Sequence, residues 1–234
     1  MSGTAQSDAA AAKSRPQRRR LLWLGGILLI AAVFHRPALM VTAWVLIADE
    51  PAPGGAVVVP WSGDGRFDEA ARLRDADAAA VALVRMHPNR LHGIGALPTP
   101  ERTALKALAA RGVPEEAVAI VPADARNEWD VARALALWLE ARPDATVVVL
   151  CDEFSSRRMR LVVDRAAGPA AGRIHVRALR HRWVSPDDWW LGKDGLKQFF
   201  GSAVGLTYAL VLGEDDDPWI DWDTDAWAES LPRP

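Results

Sequence analysis

Three short segments hold the residues whose types and spacing could do chemistry. The first, Trp61-Ser62-Gly63-Asp64-Gly65-Arg66, follows a β-branched run at 56–59. Glycines after a strand let backbone N–H groups approach an anion at the next helix's N-terminus. Ser62, Gly63 and Gly65 would then cradle the anion, and Arg66 would clamp a phosphate or carboxylate. The plainer alternative is an ordinary turn with a solvated arginine. The segment is not a G-x-G-x-x-G fingerprint and has no Walker lysine. The second segment is Arg126-Asn127-Glu128-Trp129-Asp130. Polar and acidic residues at a helix start usually cap it, and Asn127, Glu128 or Asp130 could instead orient a water or hydroxyl. The third is Asp152-Glu153-Phe154-Ser155-Ser156-Arg157-Arg158. Here Ser155 or Ser156 reads as a cap, and arginines at a helix start oppose its dipole, which an anionic partner would relieve.

Other chemistries find little support. His87, His92, His175 and His181 lack metal-ligand spacing, and neither H-E-x-x-H nor C-x-x-C occurs, so no metal site is expected. There is no G-x-S-x-G elbow. Cys151 is the single cysteine and cannot form an intramolecular disulfide. The charge asymmetry between the two ends of the chain and the lack of a basic stripe in the domain point to a membrane surface more than to nucleic acid. No cofactor is indicated.

The elements that would position these segments alternate. Short β-branched runs at 56–59, 117–121 and 146–151 read as buried strands, with a weaker strand at 90–97 and another at 173–179. A long helix is expected over 66–86, a second from Thr99-Pro100-Glu101 to Ala110 with a stop at Gly112, and a third from Asn127 or Asp124 to Ala141. Further helices are expected over 156–167 and 195–212. This is the pattern of an α/β fold, a mostly parallel sheet flanked by helices in a Rossmann-like three-layer arrangement. In such a sheet the ligand lies off the carboxyl ends of the strands. The Arg66 and Arg158 guanidinium groups are therefore expected to face one cleft, about 12 Å apart or less. As a surface residue Arg66 would contribute little to folding, so Arg66→Ala should leave the melting temperature nearly unchanged.

The ends of the chain differ in charge. Residues 1–20 carry a net +4 and read as a basic cytoplasmic tail, whereas residues 214–234 form an acidic, Trp-rich tail of net −7. Residues 21–47 read as a transmembrane anchor. Trp23 and Trp44 lie about 31 Å apart along a helix, which suits the two aromatic belts of a bilayer. Three arginines before this segment, with Asp49 and Glu50 after it, place the N-terminus in the cytoplasm and the domain at 51–213 outside. A cleaved signal peptide and a buried soluble helix are the alternatives.

The anchor and the three segments together resemble the YdcF-like family of bacterial envelope proteins, which includes the SanA and ElyC types. The resemblance rests on AVVVPWSGDGRFDEAARL at 56–73, ARNEWDVARAL at 125–135 and VVLCDEFSSRR at 148–158. The family's histidine is replaced here by Ser155, its Thr-Ser pair by Cys151-Asp152, and its Glu and Lys on the last helix by Ser202 and Gly205. The resemblance implies an inner-membrane, single-pass protein with a role in cell-envelope maintenance. Its domain would bind, and could act on, a phosphate-bearing envelope or nucleotide-like molecule, such as an anionic small molecule or a carrier-lipid phosphate. A non-catalytic envelope scaffold that keeps the fold without the chemistry is the alternative.

Overall fold

The computed structural model describes Trp23 and residues 34–213, apart from 52, 61–63, 78–79, 89 and 182, with the backbone alone at 64, 65 and 77. The chain divides into two units, residues 1–44 and 45–234. In the first, residues 34–44 form helix α1, which continues across Pro37. Thr42 Oγ1 donates to the Leu39 carbonyl within it (2.6 Å). Residues 21–22 and 24–33 of the expected anchor lie outside the described residues, as do both charged tails. Among the described residues no helix is long and apolar enough to cross a membrane.

The second unit holds five parallel strands in the order β3-β2-β1-β4-β5, built from β1 (Val57–Pro60), β2 (Val81–Met86), β3 (Val118–Ala125), β4 (Val147–Asp152) and β5 (Ile174–Leu179). Helices α2 (Asp64–Asp77) and α4 (Pro100–Ala109), with the short α3 (Arg90–Gly93) between them, connect the first three strands. The chain then crosses back through α5 (Glu128–Glu140) and α6 (Glu153–Ala166), and α7 (Lys193–Val211), the last helix among the described residues, lies beside α6. Side chains alternate along β4 and so separate the two cores. Val148 and Leu150 face Phe67, Ala70, Leu73 and Leu108 of α2 and α4. Val147, Val149 and Cys151 face Val131, Leu135, Met159 and Val162 of α5 and α6. β4 is apolar on both faces because both are covered.

Two expected elements are wrong. Residues 66–86 do not form one helix, since α2 ends at Asp77 and Val81–Met86 is β2. The weaker strand expected at 90–97 is instead the short helix α3 and a following turn. The alanines of the run DADAAA suit a helix and mask the boundary, while the β-branched and apolar Val81-Ala82-Leu83-Val84 belongs to a buried strand.

Residues 45–50 belong to the α/β unit, although 45–47 were expected to close the membrane span. Leu46 and Ile47 are buried, and their carbonyls accept from the Arg157 backbone N–H (3.1 Å) and Arg157 Nη2 (2.6 Å). The Ala48 N–H donates to Ser156 Oγ (2.8 Å). Asp49 and Glu50 border the edge strand β5, where Val176 N–H donates to Glu50 Oε2 and Ala178 N–H to Asp49 Oδ1, each at 3.0 Å. An edge strand presents unpaired backbone donors, and these two carboxylates occupy them.

Candidate functional site

β1 and β4 are neighbours (Val57 pairs with Val147 and Pro60 with Leu150), and they feed connections that leave in opposite directions. This is the topological switch point, off whose carboxyl edge open α/β sheets bind ligands. Two ion pairs stand near it. Arg66, in the first turn of α2, donates from Nη2 to Asp152 Oδ2 at the end of β4 (2.5 Å). Arg158, in α6, donates from Nη2 to Glu128 Oε1 at the start of α5 (2.6 Å). The Cys151 thiol lies within the field of Arg66, Glu128 and Asp152, but burial dominates and pushes its pKa up to about 12. The thiol therefore stays protonated at neutral pH and is a poor nucleophile.

The two arginines belong to different layers. Arg66 is on α2, and Asp152 extends from the β4 face that packs against it, whereas Arg158 and Glu128 join α6 to α5 on the other face. The two ion pairs have no residue in common. Arg158 also lies against α7, where a Cβ at Gly205 would sit 2.5 Å from Arg158 Nη1. The absent side chain at 205 makes room for the guanidinium. Arg158 Nε is buried with no hydrogen-bond partner among the described residues.

The remaining candidates divide clearly. Asn127 is the N-cap of α5, its Oδ1 accepting from the N–H groups of Trp129 (2.9 Å) and Asp130 (3.0 Å). Asp130 accepts from the Arg126 N–H (2.8 Å) and Arg133 Nη2 (2.6 Å). Burial opposes ionisation of Asp130, yet these donors outweigh it and hold its pKa low. Glu128 differs, because burial outweighs Arg158 and raises its pKa. Ser155 Oγ donates to the Asp152 carbonyl (3.0 Å), and Ser156 Oγ to that of Glu153 (2.6 Å). Neither serine is the N-cap of α6, which begins earlier than expected, at Glu153 after Asp152. Gly65 lies in the first turn of α2. Ser62 and Gly63 fall outside the described residues.

Neither a protein-family model nor a curated protein matches this chain.

Asp152 and Glu153 are the site residues that sequence reasoning missed. Glu153 is 4% exposed, and its Oε1 has no hydrogen-bond partner among the described residues. Burial pushes its pKa up to about 7, with Asp152 and Asp187 adding to the rise and the His181 N–H and Arg180 opposing it. A carboxyl group poised near neutrality can exchange a proton at ordinary pH. The available signal was two carboxylates directly after the most apolar strand, where the chain must leave the core.

Proposed function

We propose that this is a membrane-anchored envelope protein whose α/β domain binds a phosphate-bearing small molecule off the carboxyl edge of β1 and β4. The observation that carries this reading is the position of Arg66. It stands in the first turn of the helix after β1 and is fixed by Asp152 at the end of the neighbouring β4. A carboxylate that orients a guanidinium prepares it for a planar, charge-assisted contact with an anion. The N-terminus of α2 favours negative charge in the same place. Asn127, Glu128 and Asp130 support α5 in this reading, and Arg158 holds α6 to α5. Ser62, Gly63, Gly65 and Ser155 remain as proposed contacts of the same anion. The YdcF-like resemblance supports an inner-membrane location with the domain outside the cytoplasm, and a carrier-lipid phosphate is one ligand of the proposed class.

A second reading is a non-catalytic envelope scaffold. It is favoured by the pairing of Arg66 and Arg158 with separate carboxylates in opposite layers.

Titration of the full-length protein in detergent with phosphomonoesters and pyrophosphates, alongside a hydrolysis assay on the same panel, separates the two readings. Ligand binding predicts a saturable signal that Arg66→Ala weakens by about tenfold or more. Absence of both binding and turnover across the panel favours the scaffold. A reporter fused after Pro234 should be active outside the cytoplasm, and activity confined to the cytoplasm would overturn the envelope assignment.

A further inference from the structure

A concavity lies on the α2–α4 side of the sheet. It is a cavity of about 360 Å³ at the carboxyl ends of β1 and β2. Its walls include Pro60, Phe67, Leu83, Met86 and Pro100, and Glu101 stands among them at the start of α4. Small-molecule sites span roughly 300–1,000 Å³ and combine apolar walls with a few polar groups. This cavity falls at the small end of that range.

The lining selects the ligand. Four of the walls are rings, those of Pro60, Phe67, His92 and Pro100, and Met86 adds a thioether of the kind that packs well against aromatic edges. Glu101 accepts from Arg85 Nε through Oε2 (3.1 Å), so its charge is already compensated. The pair is net neutral, so neither a ligand cation nor a ligand anion gains from it. An uncharged N–H or O–H could still donate to the carboxylate. Thr103 Oγ1 is committed as a donor to the Thr99 carbonyl (3.1 Å) and offers a ligand only its lone pairs. Glu101 and Thr103 therefore ask for a donor, and His92 adds a third polar group whose ring nitrogens can donate or accept. We infer that this cavity is a binding site for a small, uncharged aromatic ring, of one or two fused cycles, bearing an N–H or O–H donor. Neither Arg66 nor Asp152 is among its lining residues, and the inference does not depend on phosphate binding there.

Methyl NMR of the full-length protein with ¹³C-methyl-labelled methionine, titrated with indole, tests this. Ring currents from a ring lodged against Met86 should shift its methyl resonance saturably. Met159, buried in the opposite core, and Met40, in α1, report non-specific effects in the same spectrum. N-methylindole, which has lost the donor, should bind at least about tenfold more weakly. Indole-3-carboxylate should not shift Met86. Ala104→Leu, which fills the cavity from α4, should abolish the indole shift while the Met159 resonance stays in place. If that variant disturbs Met159 and so fails to fold, Thr103→Leu carries the same expectation. An unmoved Met86, equal shifts at Met86, Met40 and Met159, or a shift that survives filling would overturn the site. Equal affinity for indole and N-methylindole would overturn the donor-bearing class.

Discussion

The Arg66 guanidinium and the Asp152 carboxylate meet between the first turn of α2 and the end of β4, and so link the two halves of the sheet beside the switch point. The Arg66 side chain is 13% exposed and that of Asp152 is 34% exposed. The expectation that Arg66→Ala leaves stability unchanged assumed a solvated arginine, and this pairing corrects it. Arg66→Ala should destabilise the fold by about 1–2 kcal/mol, in part by leaving Asp152 unpaired. A double-mutant cycle with Asp152→Ala should give a coupling of about 1 kcal/mol, discounted for the solvent that reaches Asp152. Urea unfolding of the four proteins measures it, and strict additivity would show the pair to be energetically idle.

Glu153 makes stability depend on pH near neutrality. Its folded pKa of about 7 lies above the ordinary value of 4.5, so the folded state holds the proton more tightly than the unfolded state. The associated stability is full below about pH 4.5 and is lost as pH rises to about 7, a fall on the order of 3 kcal/mol. Glu128 is raised also and adds to the trend with the same sign. Asp130 and Glu69 are lowered, so their contributions vanish only in acid, below this window. Glu153→Gln keeps the neutral shape of the side chain. It should raise the urea midpoint at pH 8 and leave it nearly unchanged at pH 4.5.

Gly195 permits a close backbone approach. A Cβ there would lie 2.1 Å from the Trp189 carbonyl oxygen and 2.8 Å from its carbon, both rigid main-chain atoms. Trp189 in turn stacks on Phe199 with centroids 3.7 Å apart. Gly195→Ala should cost about 3 kcal/mol and weaken the near-ultraviolet circular dichroism of that stack. Gly205→Ala would press on the Arg158 guanidinium, a side chain held by Glu128, and should cost about 1–2 kcal/mol, less than the clash with main chain at Gly195.

Asn127 should act through the helix it starts. Asn127→Ala leaves the N–H groups of Trp129 and Asp130 without their side-chain acceptor and should destabilise by about 1 kcal/mol. Asn127→Asp restores an acceptor and should recover most of that loss. Thermal unfolding of both variants decides the point, and a ligand-orienting role without capping predicts no change in either.

The sequence reveals this fold where local chemistry and tertiary context agree. β4 is legible because five consecutive apolar residues at 147–151 include three adjacent valines, and α4 because Thr99, Pro100 and Gly112 punctuate it correctly. β2 is hidden because its apolar residues continue an alanine-rich helical run with no glycine or proline between them. The site is harder to read, since an arginine's partner depends on strand order, which no local pattern encodes. Nothing near Asp152 in the sequence points to Arg66, 86 residues away. Asp49 and Glu50 illustrate the same limit. Read as the outer flank of a membrane span, they also occupy backbone donors of β5.

The central place of β1 has a consequence for synthesis on the ribosome. Its neighbour on one side, β2, emerges soon after it, but its other neighbour pairs Val57 with Val147, ninety residues further along the chain. At roughly 5–20 residues per second, one edge of β1 waits about 5–18 seconds for its partner. During that interval an all-apolar Val57-Val58-Val59 strand is open to pairing with another nascent chain. Pro60, which lacks an N–H, limits how far such a pairing could extend. Slow codons placed between α5 and β4 would lengthen the vulnerable interval, and faster ones would shorten it.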